Sequence, residues 1–145
     1  MIFSRAAQRQ FATRVGVIGA GQMGTGIGIV SSRVAKYEVV FVDPMPAGLK
    51  KSESFVQNWC KKEIEKERLT DAEMKDVLAR IQWTSDIQSL KDCDLVIEAA
   101  NENFDLKKRI FMDAAKVVKD KSILASNTSS ISISKIAGTI PDRAH

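Results

Sequence analysis

Three groups of residues in this 145-residue chain have types and spacings suited to chemistry. The first is Gly19, Gly21 and Gly24, which form G-x-G-x-x-G inside R-V-G-V-I-G-A-G-Q-M-G. Glycines at such a turn let a strand reverse sharply, let a pyrophosphate lie against bare backbone and let the next helix pack close on its strand. A helix start adds unpaired N–H groups and the positive end of a dipole, so the motif suits a dinucleotide. A glycine-rich turn without a ligand is the competing reading. The second group is Asp43, 19 residues after Gly24. A carboxylate at the tip of a second strand accepts hydrogen bonds from the adenosine ribose hydroxyls and repels a 2′-phosphate, and no Arg follows to compensate, so NAD is expected rather than NADP. The same residue, set before Pro44 and Pro46, also suits an Asx turn or a helix cap, and the two roles are compatible. The third group is Ser126, Asn127, Thr128, Ser129 and Ser130. Small polar residues after a strand form a loop where open α/β sheets bind ligands, or else an ordinary N-cap for the helix carrying Ile133 and Ile136.

These groups must be held at the ends of strands. Val15 to Ile18 is a short apolar run before the glycines, and Met23, Ile27, Val30 and Val34 mark a helix face after them. Glu38 to Val42, E-V-V-F-V, reads as a strand buried on both sides. Pro46 opens a long polar helix reaching about Glu67, with an apolar stripe of Phe55, Val56, Trp59, Cys60 and Ile64. Another helix starts after Thr70, where Thr70 and Glu73 spell a capping box and Met74, Val77 and Leu78 give the buried face. Two helices exceed what one crossover needs, so an inserted helical hairpin projecting beside the sheet is expected after the second strand. Its Lys62 and Lys66 are placed either to meet a phosphate-bearing substrate or to serve as plain solvated surface. Ile81 to Thr84, Asp94 to Glu98 and Ser122 to Ala125 read as further strands. Between the last two, Asn101 or Asn103 caps a helix whose inner face is Leu106, Ile110, Ala114 and Val117. Strands alternating with helices throughout predict an α/β fold, a doubly wound parallel sheet of Rossmann-like type.

Composition supports one globular domain: 44% of residues are hydrophobic and 28% charged. Six of the eight glycines fall between Gly16 and Gly28, and each one inside a helix costs about 1 kcal/mol of propensity, a local expense that suggests a site. Cys60 and Cys93 lack metal-ligand spacing, so neither a zinc site nor a disulfide framework is expected, and a reducing compartment fits. The net charge of +4 is too dispersed to argue for a nucleic-acid partner, and none is expected; a solvated helix face and a phosphate-rich small ligand suit it equally. No apolar run approaches the roughly 20 residues of a membrane span. Residues 1–13 hold Arg5 and Arg9 but no acid, the first of which is Glu38. On a helix Phe3, Ala7 and Phe11 would share one face, the character of a mitochondrial presequence, with a frayed extension as the alternative.

Taken together, V-G-V-I-G-A-G-Q-M-G, V-V-F-V-D, D-L-V-I-E-A-A-N-E-N-F-D-L-K-K and S-N-T-S-S make the stretch from about Arg14 to Arg143 resemble the NAD-binding domain of the 3-hydroxyacyl-CoA dehydrogenases. E-N-x-x-x-K followed by S-N-T-S-S is far more specific than the glycine motif. The resemblance implies that Gly19, Gly21, Met23 and Gly24 lie against the dinucleotide and that Asp43 holds the adenosine ribose. It places Ala100, Asn101, Glu102 and Lys107 near the nicotinamide half, and Ser129 in contact with both substrate and nicotinamide. The implied reaction is oxidation of the 3-hydroxyl of an acyl-CoA to the 3-oxo compound in fatty-acid β-oxidation, in the mitochondrial matrix if residues 1–13 direct import and in the cytoplasm otherwise. In the family the general base is a histidine in H-F-x-N-P beyond a P-D/E-R segment. Here Pro141, Asp142 and Arg143 supply P-D-R, and His145, two residues past Arg143, stands too close to match and is read as a bystander. The base and the helical domain through which the family homodimerises are therefore expected outside these residues, leaving the chain alone catalytically incomplete. A stand-alone NAD-binding module without turnover is the alternative. Two departures from the family pattern are Lys36, where a helix-ending glycine is usual, and the polar Asn101.

Overall fold

A computed structural model describes residues 14–143; the readings made for residues 1–13 and for His145 lie outside them. In chain order the elements are β1 (Arg14–Ile18), α1 (Gln22–Arg33), β2 (Glu38–Val42), α2 (Pro46–Glu65), α3 (Asp71–Ala79), β3 (Ile81–Thr84), β4 (Leu95–Glu98), α4 (Phe104–Val117), β5 (Ile123–Ser126) and α5 (Ile133–Ala137). The five strands form one sheet in the order β3-β2-β1-β4-β5, and every pair is parallel. The chain winds outward from β1 to β3, then returns to the other side of β1 with β4. That reversal is the switch point beside which open α/β sheets bind ligands, at the carboxyl ends of the strands.

Alternation along the strands gives each face its own core. Val15, Val17, Val39 and Phe41 pack with Val56 and Cys60 of α2 and Val77 of α3. Ile18, Val40, Val42 and Val96 pack with Ala114 of α4 and with Cys93. The α2–α3 hairpin thus lies on the sheet and supplies core side chains rather than projecting beside it. Cys60 and Cys93, both buried and free, sit in the cores of opposite faces. Thr70 forms the expected capping box, accepting from Glu73 N at 3.2 Å while its own N–H donates to Glu73 Oε2 at 2.8 Å. Lys36 adopts φ 61°, the left-handed conformation that a glycine would take without strain.

One helix face, that of α1, differs from the sequence reading. In α1 the side chains that looked like the inner stripe point outward: Met23, Val30 and Val34 are 59%, 58% and 71% exposed. The buried residues are Gly24, Thr25, Gly28, Ile29 and Ser32. An added Cβ on Gly28 would stand 2.1 Å from Phe41 Cζ, so the helix axis approaches the sheet too closely for large side chains on that face. In α4 Ile110, Ala114 and Val117 lie on the inner face as read, joined by the buried Lys107 and Phe111. Phe55, assigned to the α2 stripe, is exposed. Among the described residues no helix is long and apolar enough to cross a membrane.

Candidate nucleotide site

β1 ends at Ile18, and Gly19 turns the chain with φ +102°, where an added Cβ would also lie 2.8 Å from the Ala99 carbonyl oxygen. Its N–H donates to Val42 O at 2.9 Å. Gly24, in the first turn of α1, abuts that turn, and a Cβ there would fall 1.9 Å from Gly19 O. Gly21 is different. Its φ of −73° and ψ of −173° are open to any residue, and among the described residues an added Cβ would meet nothing within 4 Å. The chain's own packing explains two glycines of the motif; the third leaves bare backbone facing open space, the cradle a pyrophosphate requires. The first turn of α1 has no side-chain cap and no acidic residue, so its backbone N–H groups remain available to an anion.

Asp43 follows β2 and is fixed by two backbone donors. Oδ2 accepts from Ala20 N at 2.8 Å, which binds it to the glycine turn, and Oδ1 accepts from Met45 N at 2.8 Å, an Asx turn. Each carboxylate oxygen keeps accepting capacity beyond these bonds, so the turn and a ribose contact are compatible in one residue.

On the other side of Gly19, five residues close a hydrogen-bonded ring through four side chains and both the backbone and side chain of Thr128. The register places Ile18, Glu98 and Ser126 in one row at the carboxyl edge of β1, β4 and β5. Lys107 of α4, 1% exposed, donates to Glu98 Oε1 at 2.7 Å and Oε2 at 2.9 Å and lies 3.2 Å from Glu102 Oε2. It also reaches the Ala100 carbonyl at 3.3 Å. Glu98 further accepts from Ala100 N at 2.7 Å and from Ser126 Oγ at 2.5 Å. Thr128 N donates to Ser126 Oγ at 3.2 Å, and the Thr128 hydroxyl donates to Glu102 Oε1, which completes the circuit. Glu102 Oε1 also takes Ser130 Oγ at 2.9 Å, Ser130 N at 3.2 Å and Ser129 N at 3.3 Å. These bonds, the Thr128 hydroxyl foremost, hold the Glu102 carboxyl down to about 2. Burial pushes the Cys60 and Cys93 thiols up, which keeps them unreactive.

The structure therefore brings Gly19, Gly21, Met23, Gly24 and Asp43 to one edge of the sheet, and Ala99 joins them to Ala100, Glu102, Lys107 and Ser129. Asn101 and Ser129 are exposed, and Asn103, not Asn101, caps α4 by accepting from Leu106 N at 2.9 Å. Lys107 has its ammonium engaged by two carboxylates rather than open to a ligand. Lys66 stands apart: α2 runs 20 residues from Pro46, about 30 Å, and Lys66 caps its far end, 3.9 Å from Glu63. That end lies by the last residue of α1, where Arg33 donates to Arg68 O at 2.6 Å. Sequence reasoning placed Ser126 in the ligand loop but missed Glu98 as its partner in the site. The available signal was an acid ending D-L-V-I-E, a strand otherwise apolar and buried on both faces.

Residues 14–145 match the family model described as 3-hydroxyacyl-CoA dehydrogenase, NAD binding domain. The chain belongs to this family. Its cofactor is NAD. A probable 3-hydroxybutyryl-CoA dehydrogenase of Deinococcus radiodurans is 44% identical over 124 residues, covering 86% of this chain and 44% of the relative. A probable 3-hydroxyacyl-CoA dehydrogenase of Caenorhabditis elegans is 35% identical, covering 97% of this chain and 47% of the relative. The crystal structure of (S)-3-hydroxybutyryl-CoA dehydrogenase from Ralstonia eutropha superposes with a TM-score of 0.85 at 42% identity, over 88% of this chain and 45% of that one. The chain thus spans about half the length of the relatives it matches.

Proposed function

We propose that this chain forms the NAD-binding part of an enzyme that oxidises the 3-hydroxyl of an acyl-CoA to the 3-oxo compound in fatty-acid β-oxidation. The observation that carries the reading is the tie between Glu102 and the 128–130 loop, which sets Ser129 at the switch point next to the glycine turn. Bound NAD supplies the hydride acceptor. The α1 N–H groups and Gly21 take the pyrophosphate, and Asp43 takes the adenosine ribose. Met23 lies with the glycines against the dinucleotide, Ala100, Asn101 and Glu102 line the nicotinamide half, and the Ser129 hydroxyl orients the substrate oxygen. Lys107 acts from behind Glu102. A carboxyl held at about 2 is too weak a base for an alcohol, so the role of Glu102 is electrostatic and proton removal is assigned to a group outside residues 14–143. Lys66, at the end of α2 away from the glycine turn and paired with Glu63, is given no substrate contact. Residues 1–13 are assigned to mitochondrial import, and homodimerisation to a helical domain of the kind the family carries.

Calorimetric titration with NAD and NADP tests the reading. NAD should bind at least about tenfold more tightly than NADP, and Asp43→Asn should narrow that gap, since a neutral amide no longer repels a 2′-phosphate. Equal affinity for the two cofactors in the unaltered chain would remove Asp43 from the ribose site.

A further inference from the structure

We propose that Glu98 is the positioning residue of this site: through Lys107 and Ser126 it sets the 99–103 stretch against the 126–130 loop, and with that the affinity for the nicotinamide half of NAD. The part concerning affinity rests on the proposed function; the part concerning the loops does not. Glu98 is 1% exposed and accepts four hydrogen bonds from three donors: Lys107 Nζ on both oxygens, Ala100 N and Ser126 Oγ. Each donor lies on a different piece of the site's frame: α4, the turn after β4, and the tip of β5. No single backbone ladder joins these pieces. The β4–β5 pairing ends at Glu98 and Ser126, and beyond it the two loops run free of each other except through side chains and the bond from Asn127 N to Glu98 O at 2.8 Å.

The residue type is itself informative. Val96, two positions earlier on the same face, is buried in an apolar cluster, and an apolar residue in place of Glu98 would extend that cluster. Replacing a buried ion pair by well-packed apolar side chains is often neutral or stabilising, so the pair contributes little to stability that valine and methionine could not. What the charged pair does, and an apolar pair cannot, is fix directions. Lys107 is held at a point from which it also reaches Glu102 Oε2, and Glu102 in turn gathers the Thr128 and Ser130 hydroxyls and the backbone of Ser129. Glu98 thus never needs to touch a ligand. It acts through the ring Glu98–Ser126–Thr128–Glu102–Lys107, and the position of Ser129 follows.

The test uses Glu98→Gln, Lys107→Met and the double variant in the full chain, each followed by amide hydrogen exchange and by calorimetric titration with NAD. Glutamine keeps the shape of Glu98 but offers an N–H group to Lys107 or Ser126 in place of an acceptor. Exchange in residues 99–103 and 126–130 should quicken about tenfold or more, the effect of losing one charge-assisted hydrogen bond, while β1 and β2 amides keep their rates. NAD affinity should fall by a similar factor, and the double variant should bind no more weakly than Glu98→Gln, because both changes break one circuit. Exchange that is unchanged, or that quickens evenly across the whole sheet, would overturn the proposal, and so would unaltered NAD affinity in a folded Glu98→Gln. Should Glu98→Gln fail to fold, Ser126→Ala removes only one hydroxyl from the ring; faster exchange confined to 126–130 supports the proposal, and wild-type exchange there refutes it. An unaltered chain that bound no NAD would defeat the proposed function, and the exchange pattern would still decide the role of Glu98 in the loops.

Discussion

Alanine at Gly21 and alanine at Gly24 should have opposite consequences, although the two glycines are three residues apart in one motif. At Gly24 the new Cβ falls 1.9 Å from Gly19 O, a backbone atom, where an ordinary contact needs at least 3.4 Å. Either the turn or α1 must retreat by more than an ångström. Gly19 cannot yield easily, because its own N–H is bonded to Val42 O and its φ of +102° suits only glycine. Overpacking of this kind costs about 1–3 kcal/mol, which lowers the melting temperature of a domain this size by roughly 4–12 °C. At Gly21 the Cβ meets nothing within 4 Å and the backbone is already extended. Alanine narrows the unfolded ensemble, worth about 0.4–1 kcal/mol, but caps a helix less well than glycine by a similar amount, so the two effects nearly cancel. The methyl group does occupy the space in which a pyrophosphate would lie. Displacing the phosphates from the α1 N–H groups forfeits at least one charge-assisted hydrogen bond, about 1.5–3 kcal/mol, or roughly 10- to 100-fold in NAD affinity. Thermal melts and calorimetric titration of both variants supply the two axes. A Gly21→Ala chain that binds NAD like the unaltered one would remove the pyrophosphate from this turn, and a Gly24→Ala chain that melts normally would refute the packing argument.

Further outcomes follow from the same geometry. The Glu102 carboxyl, held at about 2 against an ordinary 4.5, should titrate far below other glutamates in a carbon-13 NMR titration. Because its folded value is depressed, its hold on the 128–130 loop is complete above pH 4.5 and is lost as the pH falls through about 2. Thr128→Val should move the midpoint back toward 4.5, and a wild-type midpoint already near 4.5 would contradict the network. Lys36→Gly relieves a left-handed lysine and should raise stability by at most about 1 kcal/mol, part of the gain being returned to the unfolded chain's freedom; a measurable loss in a denaturant melt would show that Lys36 makes a contact worth more than its strain.

What the sequence made legible was whatever depends on local chemistry. Strand and helix order, the Thr70–Glu73 box and the glycine turn all follow from short-range rules, and the structure has them in place. The α1 face was misread because hydrophobicity marks a buried face only when there is room for large side chains. Gly28 lies so near Phe41 that the inner face has to be built of small residues, and the apolar ones are displaced outward. Strand limits moved by one residue at β4 and β5, where Asp94 and Ser122 belong to the preceding turns. The candidate site was legible in the sequence through motifs at Gly19, Asp43 and Ser129, but Glu98 was not. Its partners lie on α4 and β5, distant in sequence, and no local pattern announces a charge that is satisfied only across the sheet.

The small-residue face of α1 also bears on how the chain folds. Gly24, Gly26 and Gly28 within a helix of 12 residues together cost about 3 kcal/mol relative to alanine, and a helix of that length is already marginal in water. α1 is therefore a helix only while it is docked: it forms as it meets β1 and β2, and not before.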